Sequence, residues 1–216
     1  MGKKKKQKLG AEQSQAELET SKTLTIFKPL KKTLRLAIVG DTPLLVNRKS
    51  EMAMDKLRAG QQGKVFEKKA KDPEECYQQS LYKMDDSATG FPASGIKKAM
   101  YSACGLVNGK PWSKLTASVF ISAKDNLVKI NGASKNFEAM TKVGRGNADL
   151  RYRGKYDEWS INLVITFDER NISVEEIVNL LDVAGFSIGI GDWRPQKKGD
   201  LGRFHVDPKS IYLASK

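Results

Sequence analysis

Two adjoining stretches, Trp159-Ser160-Ile161-Asn162-Leu163-Val164-Ile165-Thr166-Phe167 and Ser173-Val174-Glu175-Glu176-Ile177-Val178-Asn179-Leu180-Leu181-Asp182-Val183-Ala184-Gly185, decide the fold. In the first, Trp159, Ile161, Leu163 and Ile165 recur every second residue, the period of a half-buried strand. In the second the period changes. Ile177, Leu180, Leu181 and Ala184 make a helical apolar stripe, Ser173 and Glu176 have capping-box spacing, and Gly185 reads as the stop. A strand therefore feeds a helix.

Working outward, Asp149–Tyr156 reads as a strand and Gly154 to Asp157 as a turn, so 149–156 and 158–167 are expected to pair as an antiparallel hairpin. Thr33-Leu34-Arg35-Leu36-Ala37-Ile38-Val39-Gly40 is a first strand by the same alternation. Phe91-Pro92-Ala93-Ser94 opens a helix whose Ile96, Ala99, Met100 and Ala103 face the core, ending at Gly105. Arg203–Val206 and Ile211–Leu213 are short closing strands. The order strand, helix, strand, strand, helix, strand predicts an α+β chain with a modified ferredoxin-like, RRM-like βαββαβ domain. Strand-like residues at 115–123 and 127–130 are additions to it, and a polar loop is expected through Gly144, Arg145 and Gly146.

Residues 41–90 are polar and weakly helical, and read as an insertion projecting after the first strand. Within it, Asp72-Pro73-Glu74-Glu75 is a helix start for a segment running towards Met84. Residues 1–22 hold almost nothing to bury and read as a disordered basic tail, leaving 23–216 as one domain. The tail has six lysines against three glutamates, so of the net charge of +13 on the 216-residue chain, +10 belongs to the domain.

A field of that sign gathers phosphate-bearing partners. At 39% hydrophobic and 29% charged, the composition excludes collagenous, disordered and membrane classes. Cys76 and Cys104 are too few for a disulfide framework, and with His205 as the single histidine they cannot complete a four-ligand zinc site. With no apolar run long enough for a span and no signal peptide after the N-terminal lysines, a cytoplasmic protein without membrane contact, metal or cofactor is expected.

The chemistry concentrates in Gly189-Ile190-Gly191-Asp192-Trp193-Arg194-Pro195-Gln196-Lys197-Lys198-Gly199-Asp200-Leu201-Gly202-Arg203. Gly189, Gly191, Gly199 and Gly202 let backbone approach a phosphate, while Arg194, Lys197, Lys198 and Arg203 neutralise it. Trp193 can stack on a base, or cap the core. The glycines follow a helix rather than a strand, which excludes a dinucleotide fingerprint, and no P-loop is present. Lys142, Arg145, Arg151, Arg153 and Lys155 form a second basic group, with Arg151 and Arg153 on one strand face and Leu150 and Tyr152 on the other. Arg35 and Arg48 flank the first strand. All of these also suit a solvated surface.

The glycine-rich basic loop between last helix and last strand resembles that of the RAMP superfamily, which includes the RNA-binding backbone subunits of CRISPR effector complexes in antiviral defence. Gly90-Phe91-Pro92-Ala93-Ser94-Gly95-Ile96-Lys97-Lys98 is similar to that family's entry to its first helix, where Ser94 and Lys97, with Lys98 beside them, would face nucleic acid. The chain departs from typical backbone subunits in having Asp41-Thr42-Pro43-Leu44-Leu45, not a tight glycine cluster, after the first strand. A stand-alone phage or mobile-element relative fits equally.

The resemblance implies sequence-tolerant binding of RNA or single strands, with copies lined up along the strand as a homo-oligomer or within a ribonucleoprotein. No catalytic residue is assigned. Asp41 and Asp85-Asp86 are the carboxylates available for metal-dependent RNA cleavage, but all sit in turn-like sequence where Asp serves local hydrogen bonds. His205 has no nucleophile motif near it and is expected in a sequence-local hydrogen bond. A protein-interaction role for the basic surface is the remaining alternative.

Overall fold

A computed structural model of the chain describes residues 28–65, 70–85, 87–107, 112–143 and 147–214; the tail at 1–22, Asp86 and Arg145 lie outside the described residues. The central strand is β1 (Lys31–Gly40), which buries Leu34, Leu36 and Ile38 and exposes Arg35 between them. It pairs antiparallel with β9 (Ser160–Asp168) from Lys31↔Asp168 to Val39↔Ser160, and on its other side with β10 (Phe204–Val206) and β11 (Tyr212–Ala214). On β9, Ile161, Leu163, Ile165 and Phe167 point to the same buried face. Beyond β9 come β6 (Leu127–Asn131), β4 (Thr89–Pro92) and β3 (Tyr82–Lys83), with β5 (Val119–Ile121) also beside β9.

Two helices cover the buried face. One is α3 (Ala93–Cys104), bringing Ile96, Met100 and Ala103; the other is α5 (Val174–Val183), bringing Ile177, Leu180 and Leu181. They pack on each other above the sheet. Counting only β1, α3, β6, β9, α5 and β10, the lateral order β10-β1-β9-β6 is the antiparallel 4-1-3-2 arrangement of a ferredoxin-like unit. The fold is thus α+β, as expected, with β4 and β3 added beyond β6 and with β5 and β11 added beside β9 and β1.

The third element of that unit is a correction to the sequence reading. The expected hairpin partner 149–156 belongs to β8 (Asn147–Tyr156), which pairs with β7 (Ser134–Val143) and β2 (Leu44–Val46) in a separate three-stranded sheet. The strand beside β9 is instead β6, through Ile130↔Ile161 and Asn131↔Ser160. The cause is Trp159. Its buried indole donates to the Thr42 carbonyl (2.9 Å) and fills the space a Cβ on Gly40 would need, so the chain leaves β8 at Tyr156 and re-enters the main sheet at β1's end.

Other boundaries move for local reasons. Residues 115–118 are helical, in α4 (Trp112–Ser118), and only Val119–Ile121 is strand. The capping box at Ser173 and Glu176 forms in both directions, but the helix does not stop at Gly185; a π-helical turn (Ala184–Ile188) carries it to Gly189, whose φ of +67° ends it. Gly185 is needed there because a Cβ would strike the Phe204 carbonyl at 1.9 Å.

The stretch 41–90 is of two kinds. Its ends are integral, since Leu44, Leu45 and Val46 of β2 are buried and β4 lies in the main sheet. Between them, α1 (Glu51–Gln61) buries nothing, and α2 (Pro73–Ser80), capped by Asp72 as expected, stops at Ser80 rather than near Met84 and packs on β8. No helix among the described residues is long and apolar enough to cross a membrane.

Candidate nucleic-acid interface

The two motifs, a hundred residues apart in the chain, line one cleft of about 300 Å³. Its apolar floor is Val46, Phe91, Pro92, Ala99, Ile188 and Ile190; Ser94 and Lys98 come from the start of α3, and Gly189, Gly191, Asp192, Arg194 and Gln196 from the loop. Ser94 is locked in place, its N–H donating to Asn126 Oδ1 (3.0 Å) and its Oγ accepting from Asn126 Nδ2 (2.9 Å). Burial and the nearby Asp192 carboxylate push the Tyr82 phenol on the same wall upward.

Lys97 and Lys98 part company. Lys98 lines the cleft, whereas the Lys97 ammonium donates to the Thr116 carbonyl (3.3 Å) and sits 4.6 Å above the Phe120 ring. The position favoured by the family resemblance is therefore turned away from the loop, because the helix puts successive residues on different sides.

Within the loop, the glycines make room for the chain's own atoms. A Cβ would lie 2.7 Å from Pro195 at Gly189, 2.4 Å from the Leu45 carbonyl at Gly191, and 2.0 Å from the Trp193 carbonyl at Gly199. Many loop N–H groups are consumed likewise: Ile190 by Gly202, Asp192 by Leu45, Leu201 by Trp193, Gly202 by Pro43 and Gly199 by Arg194. The result is a tight clasp over β2 that presents side chains. Arg194 spans it, donating from Nη1 to the Gly191 carbonyl (2.9 Å) and from Nε and Nη2 to Gln196 Oε1, while Gln196 reaches Ser102 on α3. Lys197 and Lys198 are exposed, Lys198 in the left-handed region at φ +63°.

Two members of the second basic group, Arg153 and Lys155, join this loop through Trp193 and Phe137. On β8, Arg153 is directly opposite Phe137 of β7. Phe137 meets the Trp193 ring edge-on at 5.8 Å, the Arg153 guanidinium lies 5.7 Å from the same indole, and the Lys155 ammonium stands 5.4 Å from Phe137. Two aromatic rings thus stand between two cations, in the order Lys155, Phe137, Trp193, Arg153. Asp192 links this ladder to the cleft, 3.4 Å from Arg153 Nε and accepting from Asn47 Nδ2 at 3.1 Å. Arg153 is buried and Arg151, on the same strand face, is exposed beside Asp149 (3.5 Å). Burial pulls the Arg153 guanidinium below its ordinary range, which Asp192 opposes and Arg151 reinforces.

Three predicted residues do not line the cleft, although Arg48 is close enough to act electrostatically on the Tyr82 phenol of its wall. Arg35 projects from the outer face of the main sheet, opposite Val164 on β9 and Tyr212 on β11. Arg203 stacks its guanidinium 4.7 Å from Phe186, and its N–H donates to Thr42 Oγ1. Arg48 is exposed just past β2, its N–H bonded to the Ser80 carbonyl. Phe137, Asp192 and Asn126 were not anticipated; Phe137 was visible only as the one aromatic residue in a polar stretch.

The carboxylates weighed for catalysis are held as follows. Asp85 Oδ1 accepts from the Ser87 N–H, the Ser87 hydroxyl and the Ala88 N–H, the local bonding expected of a turn. His205 departs from expectation: its partner is not local but Asp41, 164 residues away, at 2.6 Å between Nδ1 and Oδ1. The antiparallel β1–β10 pair brings them together.

Fold and site define an α+β protein with a ferredoxin-like sheet, a clasped basic loop and a cation-aromatic ladder. No family model matches the chain, and no curated protein matches it. Among solved structures it is similar to a chain in a cryo-EM structure of the type III-B Cmr-beta bound to cognate target RNA, at 11% identity and a TM-score of 0.49, over 97% of this chain and 67% of that one.

Proposed function

We propose that the protein binds RNA or single-stranded nucleic acid without reading its sequence and without cleaving it, as a cytoplasmic RAMP-like subunit whose copies line a strand or enter a ribonucleoprotein. One observation carries this reading: Lys98 and Arg194 line the cleft, and Asp192 of the same cleft stands 3.4 Å from Arg153 at the end of the Lys155, Phe137, Trp193, Arg153 ladder. Cations neutralise phosphates irrespective of base, and aromatic faces accept any base, so the combination favours a single strand over a duplex.

Fluorescence anisotropy with labelled single-stranded RNA, single-stranded DNA and duplex, each at several salt concentrations, tests it. Tight binding to single strands should weaken with salt, and Arg194→Ala/Lys197→Ala/Lys198→Ala should flatten the log–log salt slope by about 2, at ~0.7 per phosphate contact. No binding to any polynucleotide at low salt overturns the reading in favour of a protein partner. Divalent-dependent cleavage abolished by Asp41→Ala would overturn the non-enzymatic part.

A further inference from the structure

Arg153 is out of place as a merely structural residue. Its side chain is only 4% exposed, yet Nε and Nη1 have no hydrogen-bond partner. Asp192 is within ion-pairing distance at 3.4 Å but outside hydrogen-bonding geometry, and it already accepts from Asn47. Buried charged donors without acceptors are strongly unfavourable, and each calls for a physical reason such as strain, a functional role or a group supplied from outside; Arg203 has one such donor, Nε, and Arg153 has two. Burial also lowers the guanidinium pKa, in line with a charge short of partners.

What lies over Arg153 is Trp193, which is itself strained. Its φ is +55°, the left-handed region that a bulky side chain rarely occupies, and the residue is 40% exposed. It makes a T-shaped contact with Phe137 and a cation–ring contact with Arg153, contacts worth little each and easily exchanged for others of the same kind.

We infer that Arg153 is a phosphate-binding residue for the polynucleotide backbone, covered by Trp193 in the free protein and uncovered when the indole swings out to stack on a base. This rests on the nucleic-acid reading above and deepens it. One motion does two things: a phosphodiester oxygen reaches the unpartnered Nε and Nη1 donors, and the indole exchanges its edge contact with Phe137 for a base. Asp192 stays beside the cation and keeps other anions from settling there unless several contacts are made at once.

The test uses the full chain and two probes, inorganic polyphosphate, which has phosphates and no bases, and a single-stranded oligouridylate. Trp193→Ala removes the cover, so it should tighten polyphosphate binding about tenfold while weakening the oligouridylate, which loses a stacking partner. The gain on polyphosphate should vanish in Trp193→Ala/Arg153→Gln. Arg153→Lys in the same background keeps charge and stem, and reads the same coupling should the Gln variant melt; it should lose most of the gain.

If the oligouridylate binds but Trp193→Ala leaves polyphosphate affinity unchanged, or the gain survives without Arg153, the inference is overturned and the broader reading stands. If the wild-type chain binds no oligouridylate, the broader reading falls, and an Arg153-dependent gain on polyphosphate still supports the anion site.

Discussion

Gly202 lies so close to Ile190 that a Cβ built on it would come within 1.8 Å of the Ile190 carbonyl oxygen, and its φ is +68°. The closeness is imposed by the Ile190 N–H, which donates to the Gly202 carbonyl at 2.9 Å. Gly202→Ala therefore has nowhere to put its methyl and must also hold a left-handed backbone; about 2 kcal/mol or more of stability should be lost. Gly60, at the exposed end of α1 with nothing within 4 Å of its Cβ position, is the control. Gly60→Ala should stabilise by ~0.5–1 kcal/mol in urea unfolding.

Lys97 and Lys98 separate binding from packing. Lys98→Ala should flatten the salt slope of single-strand binding by ~0.7 and leave the melting temperature alone. Lys97→Ala should leave the slope alone and cost ~0.5–1 kcal/mol, because its ammonium is held over Phe120 at 4.6 Å. Equal slopes for the two variants would remove the cleft from the binding surface.

Asp168 ties the end of β9 to the start of β1. The Arg170 side chain grips both its oxygens, and with the Arg170 and Leu30 N–H groups it holds the carboxyl at about 2. The folded value is below the ordinary ~3.9 of an unfolded aspartate, so its contribution is present above that pH and is lost as pH falls towards 2. Urea midpoints of the wild type and Asp168→Asn should differ at pH 6, with the wild type more stable, and the gap should close as pH falls through about 2.

At the other end of α5's approach, Ser173 Oγ accepts from the Glu176 N–H (3.2 Å) and Glu176 Oε2 accepts from the Ser173 N–H (2.9 Å). Ser173→Ala removes one half of the box and should cost ~1 kcal/mol. Ser173→Asp, which keeps an acceptor at the cap, should recover most of it.

How much of this was legible depends on whether one residue's neighbours in sequence decide its environment. On β1 and β9 the alternation of Leu34, Leu36, Ile38 with Arg35 and Ala37, and of Ile161, Leu163, Ile165 with Asn162, mirrors burial residue by residue, so both strands and the helices over them could be read directly. On β6 only Val128 and Ile130 are buried, too few to mark it as the partner of β9, and β7 carries Lys135, Asn136 and Glu138 with little apolar signal, so the sequence points β8 to the wrong neighbour. The basic residues of the site were visible as residues. Their division was not: Arg151 and Arg153 share a strand face, and only the arrival of Trp193 and Asp192 from the loop buries one and leaves the other in solvent.

The pairing of β1 also governs how the chain can be made. Each of its ladder partners, β9, β10 and β11, begins at Ser160 or later, so during synthesis β1 emerges with both edges bare. At ~5–20 residues per second, the ~120 residues between Gly40 and Ser160 hold that state open for on the order of 10 s. A ribosome stalled within that interval would display an apolar, unpaired strand to every other nascent chain nearby. Chaperone occupancy on the first half of the polypeptide, rather than any property of the finished molecule, would then set the yield in a cell.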